Sequence, residues 1–361
     1  MKESNFMHGG NIYTLAKKLN LLPHEIIDSS ASLVPFKPTK ILIDSLKLEI
    51  KKQGFRYYPE VNQNDLRETI GKFHKISPDN ILPGNGASEL ITWAGFEASK
   101  FGKSGLPSPC FVDYERSLHC WNANFDYFEL PRSWSDEFPQ SFPLKPICDV
   151  LWITNPHNPT GQLWDKKSIE KILKEYKLVI CDEAFLALTP KGEKESLVPL
   201  TQTYKNLIVI RSLTKLFNIA GLRLGYVIGS AEKLKRWNAK RDPWPLNSFA
   251  IKAGIELLSN SLFYEEWTQK IHNWINTEKT WVCNELSKVK NLKIHNSSTN
   301  FFLIEGKDSL TTNINYLEQK GILIRECSSF KYLNEKWGRI SLQSKKNNKI
   351  LCREIQNSFR K

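Results

Sequence analysis

The middle of the chain alternates two hydrophobic patterns. Short apolar runs rich in β-branched residues stand at "DVLWITNP" (149–156), "KLVICDEAF" (177–185) and "NLIVIRS" (206–212). None alternates with polar positions, which predicts strands buried on both faces, as in a parallel sheet covered by helices. Between them, "DKKSIEKILKEY" (165–176) spaces its apolar residues as a helix does. Upstream, "NILPGNG" (80–86) predicts a strand ending in a glycine turn, and "ASELITWAGFEASK" (87–100) again has helical spacing. The predicted class is α/β, a large domain with a mostly parallel central sheet flanked by helices.

After "RDPWPLNSFA" (241–250) the style changes. A helical region over 250–289 leads into short strands in "NLKIHNSSTNFFLIEG", "ILIREC" and "GRISLQS", then a terminal helix. This predicts a smaller α+β unit. The expected division is an N-terminal arm (1–35), a large domain (36–245) and a small C-terminal domain (246–361), consistent with a chain too long for one ordinary core. No internal repeat or low-complexity segment interrupts the pattern.

Composition narrows the picture. Hydrophobic residues make up 40% and charged residues 25% of the 361 positions, as in a soluble globular protein. No run approaches the apolar length of a membrane span, and the opening "MKESNFMHGGNIY" is polar where a signal peptide needs an apolar segment. The expected location is the cytoplasm, with no membrane partner. The seven cysteines are scattered without a C-x-x-C pair, which argues against a disulfide framework or a zinc site. The net charge of +13 is spread along the chain, with no basic tail or nucleic-acid module. It reads as a solvated surface that can also concentrate a phosphorylated substrate, not as a nucleic-acid footprint.

Four features carry chemistry. Lys215 follows a buried strand in "RSLTKLFNIAGLRLG", where desolvation and nearby cations favour the neutral amine that forms a Schiff base. Ser212 and Arg223 beside it suit a phosphate. Asp182 ends an apolar strand, where a carboxylate needs a buried cation, and a protonated pyridine nitrogen is one; Glu183 is expected to face outward or cap a loop. "NPHNPTG" (155–161) is dense turn chemistry at a strand's carboxyl end, with Asn158 able to donate to a ligand oxygen. In "GNGASE" (84–89), the N–H groups of Gly86, Ala87 and Ser88 open a helix and can cradle a phosphate. An amine, an acid, a donor and a phosphate cup together are what pyridoxal 5′-phosphate requires.

With "NPHNPTG", "CDEAF" and "SLTKLFNIAGLRLGY" in view, nearly the whole chain resembles the class I/II aminotransferase superfamily, fold type I among pyridoxal-phosphate enzymes. Within it, "HGGNIY", "DSSAS", "RYYPE" and "DEAF" liken it to threonine-phosphate decarboxylases and their relatives, the histidinol-phosphate aminotransferases. The resemblance implies Lys215 as the Schiff-base lysine and Asp182 as the pyridinium partner. It places Asn158 on the ring hydroxyl and Phe111 on the ring face. It assigns the phosphate to Gly86, Ala87, Ser88, Ser212 and Arg223, with Tyr58 reaching across from a second subunit of a homodimer. Arg339 matches a binder of the substrate carboxylate, with His8 and Arg325 as candidates for a substrate phosphate. The implied reaction is decarboxylation of L-threonine O-3-phosphate to aminopropanol phosphate, a step of cobalamin biosynthesis. Transamination of histidinol phosphate or a related amino acid is the alternative, and a non-catalytic binding protein a further one. Phe185 replaces the tyrosine of the aminotransferases and favours the decarboxylase. Ser32 and Val34 replace expected asparagines and Gln343 an expected arginine, which loosens the substrate assignment on the side where they are expected to fall.

Overall fold

The computed structural model describes residues 9–131 and 137–360. Its strands in chain order are β1 (Ile27–Asp28), β2 (Ile81–Asn85), β3 (Ser104–Ser108), β4 (Phe125–Glu129), β5 (Val150–Thr154), β6 (Leu178–Asp182) and β7 (Leu207–Ser212). They continue with β8 (Leu224–Ile228), β9 (Leu292–Ile294), β10 (Phe301–Gly306), β11 (Ile322–Leu323), β12 (Arg325–Glu326) and β13 (Trp337–Ser341).

Seven strands form one sheet in the order β2-β8-β7-β6-β5-β3-β4. Every neighbouring pair is parallel except the two that involve β8, which runs against both β2 and β7. All residues of β5 and β6 are buried, and so are the first five of β7, as the unalternating apolar runs predicted. Helices such as Gly86–Ala98 and Val112–Cys120 cover the sheet. Crossover connections of this kind bring the carboxyl ends of parallel strands to one edge, where a ligand can reach them all.

A second sheet, β12-β13-β10-β9, is antiparallel throughout. Helices Ser261–Leu286 and Lys345–Ser358 pack together beside it, tied where Asn348 donates to Glu278 at 2.7 Å. The helical region expected over 250–289 is two helices, Ser248–Leu258 and Ser261–Leu286. The break falls at Asn260, whose side chain accepts from the N–H of Phe263 and caps the second helix. Near the start of the chain, β1 pairs in parallel with β11, so the N-terminal segment is stitched to distant sequence.

Candidate active site

The carboxyl ends of β5, β6 and β7 open onto a cavity of about 210 Å³. It is lined by Thr154, Asp182 and Ser212, the last residues of β5, β6 and β7, and by Asn158, Phe185 and Lys215 in the segments that follow them. Ala87, Ser88, Phe111 and Arg223 close one side, and Ser30, Ala31 and Arg339 the other.

Lys215 sits in the four-residue helix Thr214–Phe217 that follows β7 directly. Its Nζ donates to the carbonyl of Ala31 at 2.7 Å and lies 5.6 Å from the centre of the Phe185 ring. Burial lowers its pKa to about 8, helped by the charges of Arg339 and Arg223 and opposed by Asp28. Near neutral pH a useful fraction of this amine is therefore uncharged and nucleophilic.

Asp182 is 5% exposed at the end of β6. Its Oδ2 accepts from the Tyr114 hydroxyl at 2.8 Å and its Oδ1 from the N–H of Ala184 at 2.9 Å. Among the described residues no cation pairs with it. Burial pushes its pKa up and Asp113 adds to this, while the two hydrogen bonds work the other way. Glu183, the next residue, does not face outward. It is 1% exposed, bonded to Arg211 at 2.9 Å, to the Ser196 hydroxyl at 2.8 Å and to the N–H of Leu197 at 2.6 Å. Consecutive residues of a strand point to opposite faces, and the face opposite the cavity is covered too.

The phosphate cup needs its glycine. Gly86 has φ +73°, and a Cβ there would stand 2.7 Å from the Arg223 guanidinium. Ala87 and Ser88 follow in the first helical turn, whose N–H groups have no acceptor within the helix. Arg223 and Ser212 also line the cavity; Ser212 pairs with Gly225, which lies against the Ala87 N–H. Fixed amide donors, a hydroxyl and a guanidinium together suit a phosphate.

On the far side, Arg339 of β13 donates to Asn158 Oδ1 and to the Ser30 carbonyl. Its Nε is buried without a partner. A guanidinium with an unmet donor beside a ligand cavity suits a substrate carboxylate, because a buried donor left unpaired is expensive.

The sequence profile of the aminotransferase class I and II family matches residues 26–355. The chain belongs to this family. A protein of Caldanaerobacter subterraneus subsp. tengcongensis, provisionally named a threonine-phosphate decarboxylase, is 30% identical over 99% of the chain and 96% of its own length. The threonine-phosphate decarboxylase of Salmonella typhimurium is 27% identical over 98% of the chain and 96% of its own length. The crystal structure of the histidinol-phosphate aminotransferase from Clostridium acetobutylicum is 27% identical, with a TM-score of 0.82 over 93% of the chain and 99% of that structure. Enzymes of this family use pyridoxal 5′-phosphate, and this member is one of them. The residues present fit that cofactor: a desolvated lysine for the aldehyde, a buried carboxylate lacking a cation, and an anion cup.

Not every residue expected at the site lies there. Tyr58 is 78% exposed, stacked on Trp244 with ring centres 4.4 Å apart, and within this chain it does not line the cavity. Arg325 stands opposite Arg339 in the β12–β13 register but turns to Ser329 Oγ, at 2.8 Å, and the Phe330 ring. His8 lies outside the described residues. The departures at Ser32, Val34 and Gln343 do not fall on the cavity. Ser32 is buried against Ser341 Oγ at 2.6 Å, Val34 belongs to the core, and Gln343 donates to the Asp28 carbonyl at 2.9 Å. Ser32 ties the N-terminal segment to β13 and Gln343 bonds its backbone, while Val34 packs in the core, so their identity bears on packing.

The structure also adds residues. Tyr114 and Thr154 line the cavity and reach Asp182 directly or in sequence. A signal existed for Tyr114, which stands three residues after Phe111 at the start of a helix, close to the same side. The Ala31 carbonyl that receives Lys215 has no such signal, because backbone contacts leave no mark in side-chain identity.

Among the described residues no helix is long and apolar enough to cross a membrane, and no His, Cys, Asp and Glu cluster could hold a metal ion.

Proposed function

We propose that the enzyme decarboxylates L-threonine O-3-phosphate to aminopropanol phosphate. The observation that carries this reading is Phe185, whose apolar ring lies beside Lys215 where the resembling aminotransferases place a tyrosine hydroxyl. The full-length similarity to the Salmonella typhimurium decarboxylase supports it.

The bound cofactor supplies an electron sink for the pair left on the substrate Cα when one of its bonds breaks. The chain's own groups do the rest. The amides of residues 86–88, Ser212 and Arg223 anchor the cofactor phosphate, with the partner subunit's Tyr58 added in a homodimer. Phe55, Tyr57 and Tyr58, each more than 60% exposed, support such an interface. Phe111 covers one ring face, Asn158 donates its amide to the ring oxygen, and Asp182 holds a proton on the ring nitrogen. Arg339 binds the substrate carboxylate. Lys215, uncharged in part near pH 8, carries the cofactor and then moves a proton at Cα.

A rigid carboxylate anchor also suits transamination, in which Cα loses its proton. Arg339 is held by Asn158 and Ser30 and supports that second reading. Purified enzyme incubated with L-threonine O-3-phosphate and no keto acid should release carbon dioxide. A product formed only with 2-oxoglutarate, from this amino acid or from histidinol phosphate, would replace the first reading with the second.

A further inference from the structure

In the cavity wall, three side chains join in a row. Thr154 Oγ1 lies 2.8 Å from the Tyr114 oxygen, which lies 2.8 Å from Asp182 Oδ2. Thr154 and Asp182 are register partners across β5 and β6, so both face the same side of the sheet. Tyr114 is 1% exposed, its ring packed against those of Phe111 at 5.8 Å and Trp152 at 5.2 Å.

The phenol has one proton, and an ionised carboxylate can only accept. The Tyr114 proton therefore points at Asp182, and the Thr154 hydroxyl must donate to the Tyr114 oxygen. The order is Thr154 to Tyr114 to Asp182. The other carboxylate oxygen is held by the N–H of Ala184, so both ends of the group are fixed. Were the phenol only satisfying its own burial, Thr154 alone would suffice as its acceptor. Its proton is instead committed to a carboxylate with which no cation pairs among the described residues.

We propose that Tyr114, oriented by Thr154, is a positioning residue that holds the Asp182 carboxylate aimed at the ring nitrogen of the cofactor. The phenol acts through Asp182 and touches no reacting atom. The inference rests on the assignment of Asp182 to that nitrogen, and the test separates the two.

The probe is a pair of ligands, pyridoxal 5′-phosphate and its analogue with a C–H in place of the ring nitrogen. The analogue keeps the aldehyde, ring oxygen and phosphate, so the ratio of the two dissociation constants isolates the nitrogen contact. Both are titrated by absorbance into the full-length chain stripped of cofactor. Tyr114→Phe should weaken binding of the natural cofactor about tenfold while changing the analogue less than about twofold. Thr154→Val should show the same selectivity to a smaller degree, and Thr154→Ser should restore it. Asp182→Asn is the reference and should be the most selective. If Asp182→Asn weakens both ligands alike, the nitrogen assignment fails and the proposal with it. If Asp182→Asn is selective but Tyr114→Phe weakens both ligands alike, or neither, the assignment stands and the positioning role is overturned.

Discussion

The ends of β6 and β7 each set two neighbouring residues on opposite faces, and the two faces treat charge differently. Toward the cavity, Asp182 receives one phenol and one amide, both neutral. Behind the sheet, Glu183 receives a guanidinium, a hydroxyl and an amide, and Arg211 also reaches Glu193. Burial pushes both carboxyls up; on Glu183 the Arg211 charge is the first force acting against it, while on Asp182 only hydrogen bonds to neutral groups do so. Among the described residues, Glu183 has a cation beside it and Asp182 has none. A buried acid with neutral partners only is what a site for a cationic ligand looks like before the ligand arrives.

Three experiments press on this contrast. The largest effect is expected on the cavity side. Lys215→Ala should lower turnover by about a thousandfold or more, read as product formation, and borohydride treatment should leave no cofactor attached to the denatured chain. The second compares the two acids in the cofactor-free protein. Glu183→Ala removes the buried partner of Arg211, leaves it only the half-exposed Glu193, and should cost about 3 kcal/mol in denaturant unfolding at pH 7. Asp182→Asn should cost about 1 kcal/mol or less, because it removes a buried charge that no cation among the described residues offsets. Equal losses would erase the distinction between the faces.

The smallest effect concerns pH. Capture of cofactor by the stripped protein requires the neutral Lys215 amine, so its rate should rise with pH and reach half its plateau near pH 8. Arg339 is a cation that lowers the Lys215 pKa. Arg339→Gln should therefore move the midpoint upward by less than about one pH unit in stopped-flow absorbance. A midpoint that stays put or falls would mean that the Arg339 charge does not lower the pKa of this amine.

Much of this was legible in the chain. The runs around Leu151, Ile180 and Val209 announced strands because residues buried on both faces leave no polar alternation. Lys215, Asp182, Asn158 and Gly86 stood out because each breaks the pattern where a strand ends. Other features were not legible. Glu183, expected to face outward or cap a loop, does accept from the loop N–H of Leu197, but its burial was not foreseen because its partner Arg211 lies 28 residues away, on the neighbouring strand. Ser32 and Val34 looked like substrate-side changes, yet they pack against β13 and the core, some three hundred residues distant in the case of Ser341. The helix break at Asn260 was missed because apolar spacing resumes at once on the other side, and a single capping side chain decides the boundary.

The sequence by itself determined the buried strands around the site, the strand ends that carry its chemistry and the kind of cofactor, since these follow from local pattern and from residues whose chemistry is rare in such places. The tertiary structure decided which neighbour each polar group would have. Lys215 meets the Ala31 carbonyl, Asp182 meets Tyr114 and Thr154 stands behind them, across separations of 184, 68 and 40 residues. Such partnerships depend on strand order and register, and those are settled only when distant segments pack together.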